Sequence, residues 1–115
     1  MRVLLVDDNL ELADNLAELL TLDGTEVVTH HDPTRALDWA RAHEFDAALL
    51  DVRMPVLGGV ELMRQLRPAH PEARFVLMSA YTQDVRLDPA SDRVDAVLTK
   101  PLDLRLLTRA LGLEA

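Results

Sequence analysis

Five short apolar runs, Val3 to Val6, Glu26 to Thr29, Ala47 to Leu50, Phe75 to Met78 and Ala96 to Leu98, recur along the chain and are rich in Val and Leu. Their apolar character is nearly continuous rather than alternating, which suits strands of a parallel sheet covered on both faces. Periodicity alone does not separate such runs from buried helix; their length favours strands.

The segments between the runs carry helical spacing. From Asn9 to Thr21, Leu12, Leu16, Leu19 and Leu20 gather on one side and Glu11, Asp14 and Glu18 on the other, and Gly24 supplies the stop. A second helix is predicted to start after Asp32 with Pro33 at its first position and to carry Ala36, Leu37 and Ala40 inward as far as about His43. The third follows Gly58 and Gly59, uses Val60, Leu62, Met63 and Leu66, and ends before Pro68. The last runs from Leu102 towards Leu111 with Leu102, Leu106, Leu107 and Ala110 on its apolar face. Between Tyr81 and Val94 the Asp88-Pro89 step disfavours helix at Asp88 and removes a donor at Pro89, so a short, broken or displaced fourth helix is expected there. Strand and helix thus alternate in the manner of an α/β fold, a parallel sheet with right-handed crossovers and helices on both faces.

Length and charge narrow the function. The 115 residues, 49% of them apolar, fit one domain over 1–115 with a single site. With no cysteine, disulfides, thiolate metal sites and thiol nucleophiles are excluded, and a reduced, cytoplasmic setting is expected. The first apolar run is too brief and too acidic for a signal peptide or membrane span, so the mature chain is expected to start here. Twelve basic residues against twenty acidic ones give a net charge of -8, which opposes binding to nucleic acid or anionic lipid.

In an open parallel sheet, ligands sit beyond the carboxyl ends of the strands. The first run ends in Asp7-Asp8, the third in Asp51, the fourth in Ser79 and the fifth in Lys100-Pro101. If the first and third strands are neighbours, three carboxylates converge, and each close pair repels by about 4 kcal/mol at an effective dielectric near 20. Lys100 answers part of that charge. A cluster of hard oxygen donors without His or Cys also suits a divalent cation, and Mg2+, which keeps waters and completes its shell with phosphate oxygen, fits better than Ca2+. The substrate group these residues point to is a phosphoryl.

Together, Asp7-Asp8, Asp51, the Met54-Pro55 loop, Ser79-Ala80 and Lys100-Pro101 resemble bacterial response-regulator receiver domains along the whole chain. The resemblance implies a doubly wound five-stranded sheet of strand order 2-1-3-4-5. It makes Asp51 the phosphoacceptor and Asp8 a direct Mg2+ ligand, with Asp7 acting mainly through metal-bound water and Arg53 giving its backbone carbonyl. Ser79 takes the role of the hydroxyl that hydrogen-bonds the phosphoryl, and Lys100 that of the ammonium paired with it. Pro101 follows a cis peptide bond that aims the lysine. The implied donor is a sensor histidine kinase, a histidine phosphotransfer protein or a small acyl phosphate, and the implied recipient of the signal is an output domain or target protein. A homodimer on phosphorylation is among the assemblies the resemblance allows. Such a protein catalyses only its own phosphorylation and dephosphorylation, a switch more than an enzyme.

Taken singly, each motif has a plain structural reading: Asp7-Asp8-Asn9 as a helix cap, Asp51 and Ser79 as turn residues, Lys100-Pro101 as a strand exit. Their order at successive strand ends argues for the joint reading. His30, His31, His43 and His70 lack ligand spacing and are expected at the surface, and Trp39 and Phe45 are expected to pack on the sheet.

The chain departs from the family where many members carry an aromatic on the fifth strand three residues before the lysine; here that residue is Val97. Tyr81 is the nearby aromatic, expected to change rotamer or screen the site in its stead. Arg53 and Tyr81 occupy places that tune phosphoryl lifetime in this family. Gly58 replaces an acidic residue, and the Gly58-Gly59 pair is expected to loosen its loop. The segment from Ser79 to Lys100 is a residue shorter than is common. Three other readings remain: a pseudo-receiver that binds a partner without phosphorylation, a dehalogenase-type hydrolase, and a flavodoxin-like FMN carrier. The hydrolase places its nucleophile in an Asp-x-Asp pattern on the first strand, which Asp7-Asp8-Asn9 does not match, and the carrier needs a hydroxyl-rich phosphate loop and aromatic walls that this sequence lacks.

Overall fold

The computed structural model describes residues 1–21 and 24–113, so the last two residues of the expected domain lie outside the described residues. Five strands, β1 (Arg2–Val6), β2 (Glu26–His30), β3 (Ala47–Asp51), β4 (Arg74–Ser79) and β5 (Ala96–Thr99), form one sheet in the order β2-β1-β3-β4-β5. Every pairing is parallel. Four helices accompany them: α1 (Leu10–Thr21), α2 (Pro33–Ala42), α3 (Gly59–Leu66) and α4 (Leu104–Leu111). Among the described residues no helix is long and apolar enough to cross a membrane.

The continuous apolar runs resolve into two cores because successive strand residues point to opposite faces. Val3, Leu5, Ala47, Leu49, Val76 and Met78 meet Ala13, Leu16 and Leu20 of α1 and Leu107 and Leu111 of α4. Leu4, Val6, Ala48, Leu50, Phe75 and Leu77 meet Ala36 and Ala40 of α2 and Leu62, Met63 and Leu66 of α3. Burying one such Leu or Phe side chain contributes about 1.5–3 kcal/mol, so the three inner strands, apolar on both faces, dominate the hydrophobic stabilisation.

Two helical faces differ from expectation. Leu19 and Leu106, expected inward, are exposed, whereas Ala13 and Leu111 are buried. The buried residues are the ones one helical repeat apart in each case, so the apolar stripe of each helix leaves Leu19 and Leu106 at its solvent edge. The last helix also starts later than Leu102, because the Asp103 side chain accepts from the backbone N–H of Arg105 and Leu106 and so caps it. α3 ends before Pro68 as expected, and a 3-10 turn over Arg67–Ala69 carries the proline.

Between β4 and β5 a single 3-10 turn, Thr82–Asp84, stands where a full helix would otherwise lie. The chain beyond it lays Val85, Leu87 and Val94 against the core on the α2 and α3 side. It is strapped down from α3: Arg64 Nε and Nη2 donate to Asp92 Oδ1 at 2.9 Å and Oδ2 at 2.7 Å. The Asp88 N–H also donates to Asp92 Oδ2 at 2.7 Å, and the Arg64 bonds, chief among these contacts, hold the Asp92 carboxyl down at about 2. Arg67 reaches the same segment at the Arg93 carbonyl, and Arg93 Nη2 donates to the Pro71 carbonyl at 2.8 Å. Polar clasps and three apolar side chains thus replace the hydrogen bonding and packing of a helix that the Asp88-Pro89 step disfavours.

Candidate functional site

At the carboxyl ends of β1 and β3 the sheet order makes neighbours of residues that lie far apart in sequence. Val6 pairs with Leu50, so Asp7 and Asp51 leave adjacent strands side by side. Carboxylate oxygens of Asp7, Asp8 and Asp51 all lie within 4.8 Å of one another. Asp7 is fully buried, Asp51 is 6% exposed and Asp8 faces solvent. Asn9 rather than an aspartate caps α1, its Oδ1 accepting from the Leu12 N–H at 3.1 Å; Asp7 Oδ1 holds the Asn9 N–H at 2.9 Å and Asp7 Oδ2 accepts from Lys100 Nζ.

Lys100, one residue beyond β5, closes the cluster. Its Nζ lies 3.2 Å from Asp7 Oδ2 and 3.2 Å from Asp51 Oδ1. The Lys100-Pro101 peptide bond is cis. Burial pushes the Asp51 carboxyl up to about 6, reinforced by the charge of Asp7 and opposed by Lys100. For Lys100, burial disfavours the ammonium, but the charges of Asp51 and Asp7 outweigh it and its pKa is raised, so the cation is kept. Three carboxylates against one ammonium leave an excess of negative charge in a half-enclosed site of hard oxygen donors.

Ser79 ends β4 beside this group, with the Lys100 N–H donating to its carbonyl at 2.9 Å. Its buried hydroxyl donates to the Tyr81 carbonyl at 3.0 Å and accepts from the Tyr81 N–H at 3.1 Å, so it is engaged within its own loop. Arg53, in the loop after β3, sets its guanidinium 5.7 Å from the centre of the exposed Tyr81 ring and so links the β3 and β4 loops across the strand ends. Val97 lies deeper, in register with Leu77 and packed on the α2 and α3 side of the core, away from the carboxylate group.

The loop joining β3 to α3 is built differently from the loose connection expected of Gly58-Gly59. A β-carbon on Gly59 would lie 2.4 Å from the Asp51 carbonyl oxygen, and one on Gly58 2.7 Å from that of Val52. The Gly59 N–H donates to the Val52 carbonyl at 3.1 Å. Bare backbone is needed so that α3 can start against the strand that carries Asp51. Earlier in the loop, Val56 has φ +72° and its neighbours close a three-residue turn, Leu57 N–H to Pro55 carbonyl at 2.8 Å. That is the strained form of the γ-turn, held by a β-branched residue that is 93% exposed. Val56→Gly is expected to stabilise the fold by about 1 kcal/mol, the relieved strain exceeding the entropy glycine adds to the unfolded chain. Urea unfolding with an unchanged m-value measures it, and no gain would mean that Val56 sits there without strain.

One histidine, His70, was misjudged from sequence, and a second, His31, lies nearer the site than its place in the chain shows. His31 follows β2 and sets Nδ1 3.3 Å from the Asp7 carbonyl, so it borders the site. The pairing of Val6 with His30 places it there, a register unreadable without the strand order. His70, expected at the surface, is 5% exposed, because the 3-10 turn after α3 tucks it under the end of α2. Trp39 and Phe45 pack as expected, Phe45 edge-on to Phe75.

The family model for the response regulator receiver domain matches residues 3–112. A response regulator receiver protein of Anaeromyxobacter sp. (strain Fw109-5) is 43% identical over 102 residues, 88% of this chain and 43% of that protein. The response regulator MprA of Mycobacterium avium (strain 104) is 36% identical over 93% of this chain and 47% of its own length. The chain therefore spans less than half the length of these curated relatives. Among solved structures, the response regulator TrrA of Thermotoga maritima in complex with Mg2+-BeF superposes with a TM-score of 0.85 at 28% identity, covering 96% of both chains. The receiver domain of the sensor histidine kinase PA1611 of Pseudomonas aeruginosa PAO1, with magnesium coordinated in its active site cleft, gives 0.79 at 28% identity over 96% of this chain and 97% of that one. A match that runs through all five strands and every member of the carboxylate and lysine group makes this chain a receiver domain of the response regulator family.

Proposed function

We propose that this receiver accepts a phosphoryl group on Asp51 and that the change at the strand ends controls an output. The observation that carries the reading is the placement of Lys100 Nζ at 3.2 Å from both Asp7 and Asp51, beside the exposed Asp8. A buried carboxylate with a pKa near 6 is mostly ionised at neutral pH, as a nucleophile must be, yet is more basic than a free one. One Asp51 oxygen attacks phosphorus in line, the bond from phosphorus to the donor breaks, and the leaving imidazole or carboxylate departs with that electron pair. Little covalent help is needed beyond positioning and charge neutralisation. Lys100 holds a phosphoryl oxygen once its contact with Asp51 is taken over, and the Ser79 hydroxyl turns from the Tyr81 carbonyl to donate to another.

The donor set fits Mg2+: three carboxylates with oxygens within 4.8 Å, no nitrogen or sulfur among them, and one side open to water through Asp8. Asp8 and Asp51 would hold it directly, the Arg53 carbonyl would complete the protein ligands, and Asp7 would act through bound water. When bound, Mg2+ supplies positive charge opposite the phosphoryl oxygens. On this reading the chain catalyses only its own phosphorylation and hydrolysis. A sensor histidine kinase or histidine phosphotransfer protein is the natural donor, and an output domain or separate target the recipient.

Acetyl phosphate with Mg2+, followed by intact mass spectrometry, tests it. One phosphoryl-sized, base-labile gain is expected in the native protein and none in Asp51→Asn. No gain with excess donor would leave a pseudo-receiver that acts by binding alone. The Arg53 and Tyr81 pair adds a second expectation, since it links the loops on either side of Asp51. An exposed cation–π contact is worth about 1 kcal/mol, and losing a cover of that size admits attacking water about fivefold faster. Tyr81→Ala should therefore lose the phosphoryl about fivefold faster in a mass time course; an unchanged lifetime and output would sink the role given to Tyr81.

A further inference from the structure

The opposite end of the sheet, at the strand starts, holds a cavity of about 610 Å³ whose lining includes Arg2, Glu26, Glu44, Asp46, His70 and Glu72. Two of its carboxylates are committed: Glu26 pairs with the Arg2 guanidinium, and Asp46 Oδ2 accepts from the Arg2 N–H at 2.7 Å. Glu44 uses only its backbone carbonyl on Arg2, at 3.1 Å, which leaves its side chain to face His70.

His70 has an unusual arrangement of its two nitrogens. Nε2 lies 2.8 Å from the Ala40 carbonyl, and a carbonyl only accepts, so Nε2 carries the proton. In the neutral ring Nδ1 is then a lone pair, buried and without a hydrogen-bond partner, 3.8 Å from Glu44 Oε2. Phe45 stacks on the imidazole at 4.2 Å and fixes its plane. A ring nitrogen oriented by donation from its other N–H to a backbone carbonyl is the usual second support of a metal-bound histidine. Two ligands about 2.1 Å from a tetrahedral zinc lie about 3.4 Å apart, so the 3.8 Å gap needs to close by only a few tenths of an ångström.

We propose that His70 Nδ1 and the Glu44 carboxylate bind one divalent metal ion of the zinc class, independently of the carboxylate cluster at the other end of the sheet. An imidazole with carboxylates selects Zn2+ over Mg2+, which prefers oxygen alone. Water fills the remaining positions.

Isothermal titration of the full chain with Zn2+ in excess Mg2+ tests this, with Zn2+ alone as the probe. One equivalent should bind, His70→Gln and Glu44→Gln should each weaken it at least about tenfold, and Asp8→Asn should leave it unchanged. The His70 Nδ1 resonance should shift on Zn2+ addition. Glu44 is so exposed, at 91% for its side chain, that Glu44→Gln keeps the fold even if the His70 variant does not. No binding, binding lost in Asp8→Asn but untouched by Glu44→Gln, or a His70 that only protonates against Glu44 would each overturn the proposal.

Discussion

In Mg2+-free buffer at pH 7.5, Asp51→Asn is expected to melt several degrees above the native protein. The folded chain holds the Asp51 carboxyl near 6, chiefly because the group is buried and secondarily because Asp7 stands beside it. In the unfolded chain it titrates near its ordinary value of about 3.9. A carboxylate raised in this way behaves oppositely to one in a favourable ion pair. Below about pH 4 it is protonated in both states and costs nothing. Between about 4 and 6 the unfolded chain loses its proton first, so stability falls as pH rises, and above about 6 the full penalty is present. Moving the titration from about 4 to about 6 corresponds to at most about 3 kcal/mol, less what solvent screening at the half-enclosed site removes. Asparagine also deprives Lys100 of one of its two anionic partners, which offsets part of the gain and leaves on the order of 2 kcal/mol. For a domain of this size that is about 8 °C. Circular dichroism melts of both proteins in chelator at pH 7.5 and pH 4 provide the measurement. The difference should shrink towards zero at the lower pH, and Mg2+ should raise the native melting temperature more than that of the variant. A variant less stable than the native protein at pH 7.5 would show that Asp51 is a structural anion rather than a strained one, and the basicity assigned to the nucleophile would go with it.

Gly59→Ala is expected to destabilise the domain by about 3 kcal/mol, at the upper end of what overpacking costs. The new methyl would meet the Asp51 carbonyl oxygen at 2.4 Å, its carbon at 2.9 Å and the Val52 α-carbon at 3.2 Å, all of them backbone. A clash with a flexible side chain is relieved by a rotamer change; here either β3 or α3 must move. β3 is hydrogen-bonded on both sides, to β1 and β4, so the helix gives way and draws Leu62, Met63 and Leu66 from the core. Gly24→Ala is the natural comparison, because φ is +81° there but nothing lies within 4 Å of the added carbon. It should cost only about 1 kcal/mol, the backbone penalty by itself. Urea unfolding of both variants separates the two causes, and equal losses would mean that backbone conformation rather than close approach governs position 59. Because the clash falls on the residue that carries the nucleophile, Gly59→Ala should also slow phosphorylation, whereas Gly24→Ala should not.

Much of this was legible in the order of residues. The strands announced themselves as apolar runs because both faces of a parallel sheet are covered, and the helix boundaries because Pro33, Gly24 and the caps act within a turn or two of chain. The reactive strand ends, Asp7-Asp8, Asp51, Ser79 and Lys100, could be read for the same reason: a carboxyl terminus of a strand is a local feature, and the sheet merely collects them. The likeness to receivers supplied the strand order that the runs alone did not.

What needed the tertiary structure were the properties set by neighbours distant in sequence. Which of Leu19 and Leu20 faces inward depends on the angle at which α1 meets the sheet. His70 is buried because α2 ends above it, and no residue near position 70 says so. The glycine pair read as flexibility in sequence, since glycine without its surroundings is only a freer backbone; against β3 at position 59 it is a spacing requirement. The pKa of Asp51 likewise belongs to no residue by itself. Sequence by itself determined which groups would stand at the strand ends, because that follows from local periodicity and caps; only the packed sheet decided their distances, burial and charge, because those are sums over contacts that the linear order does not contain.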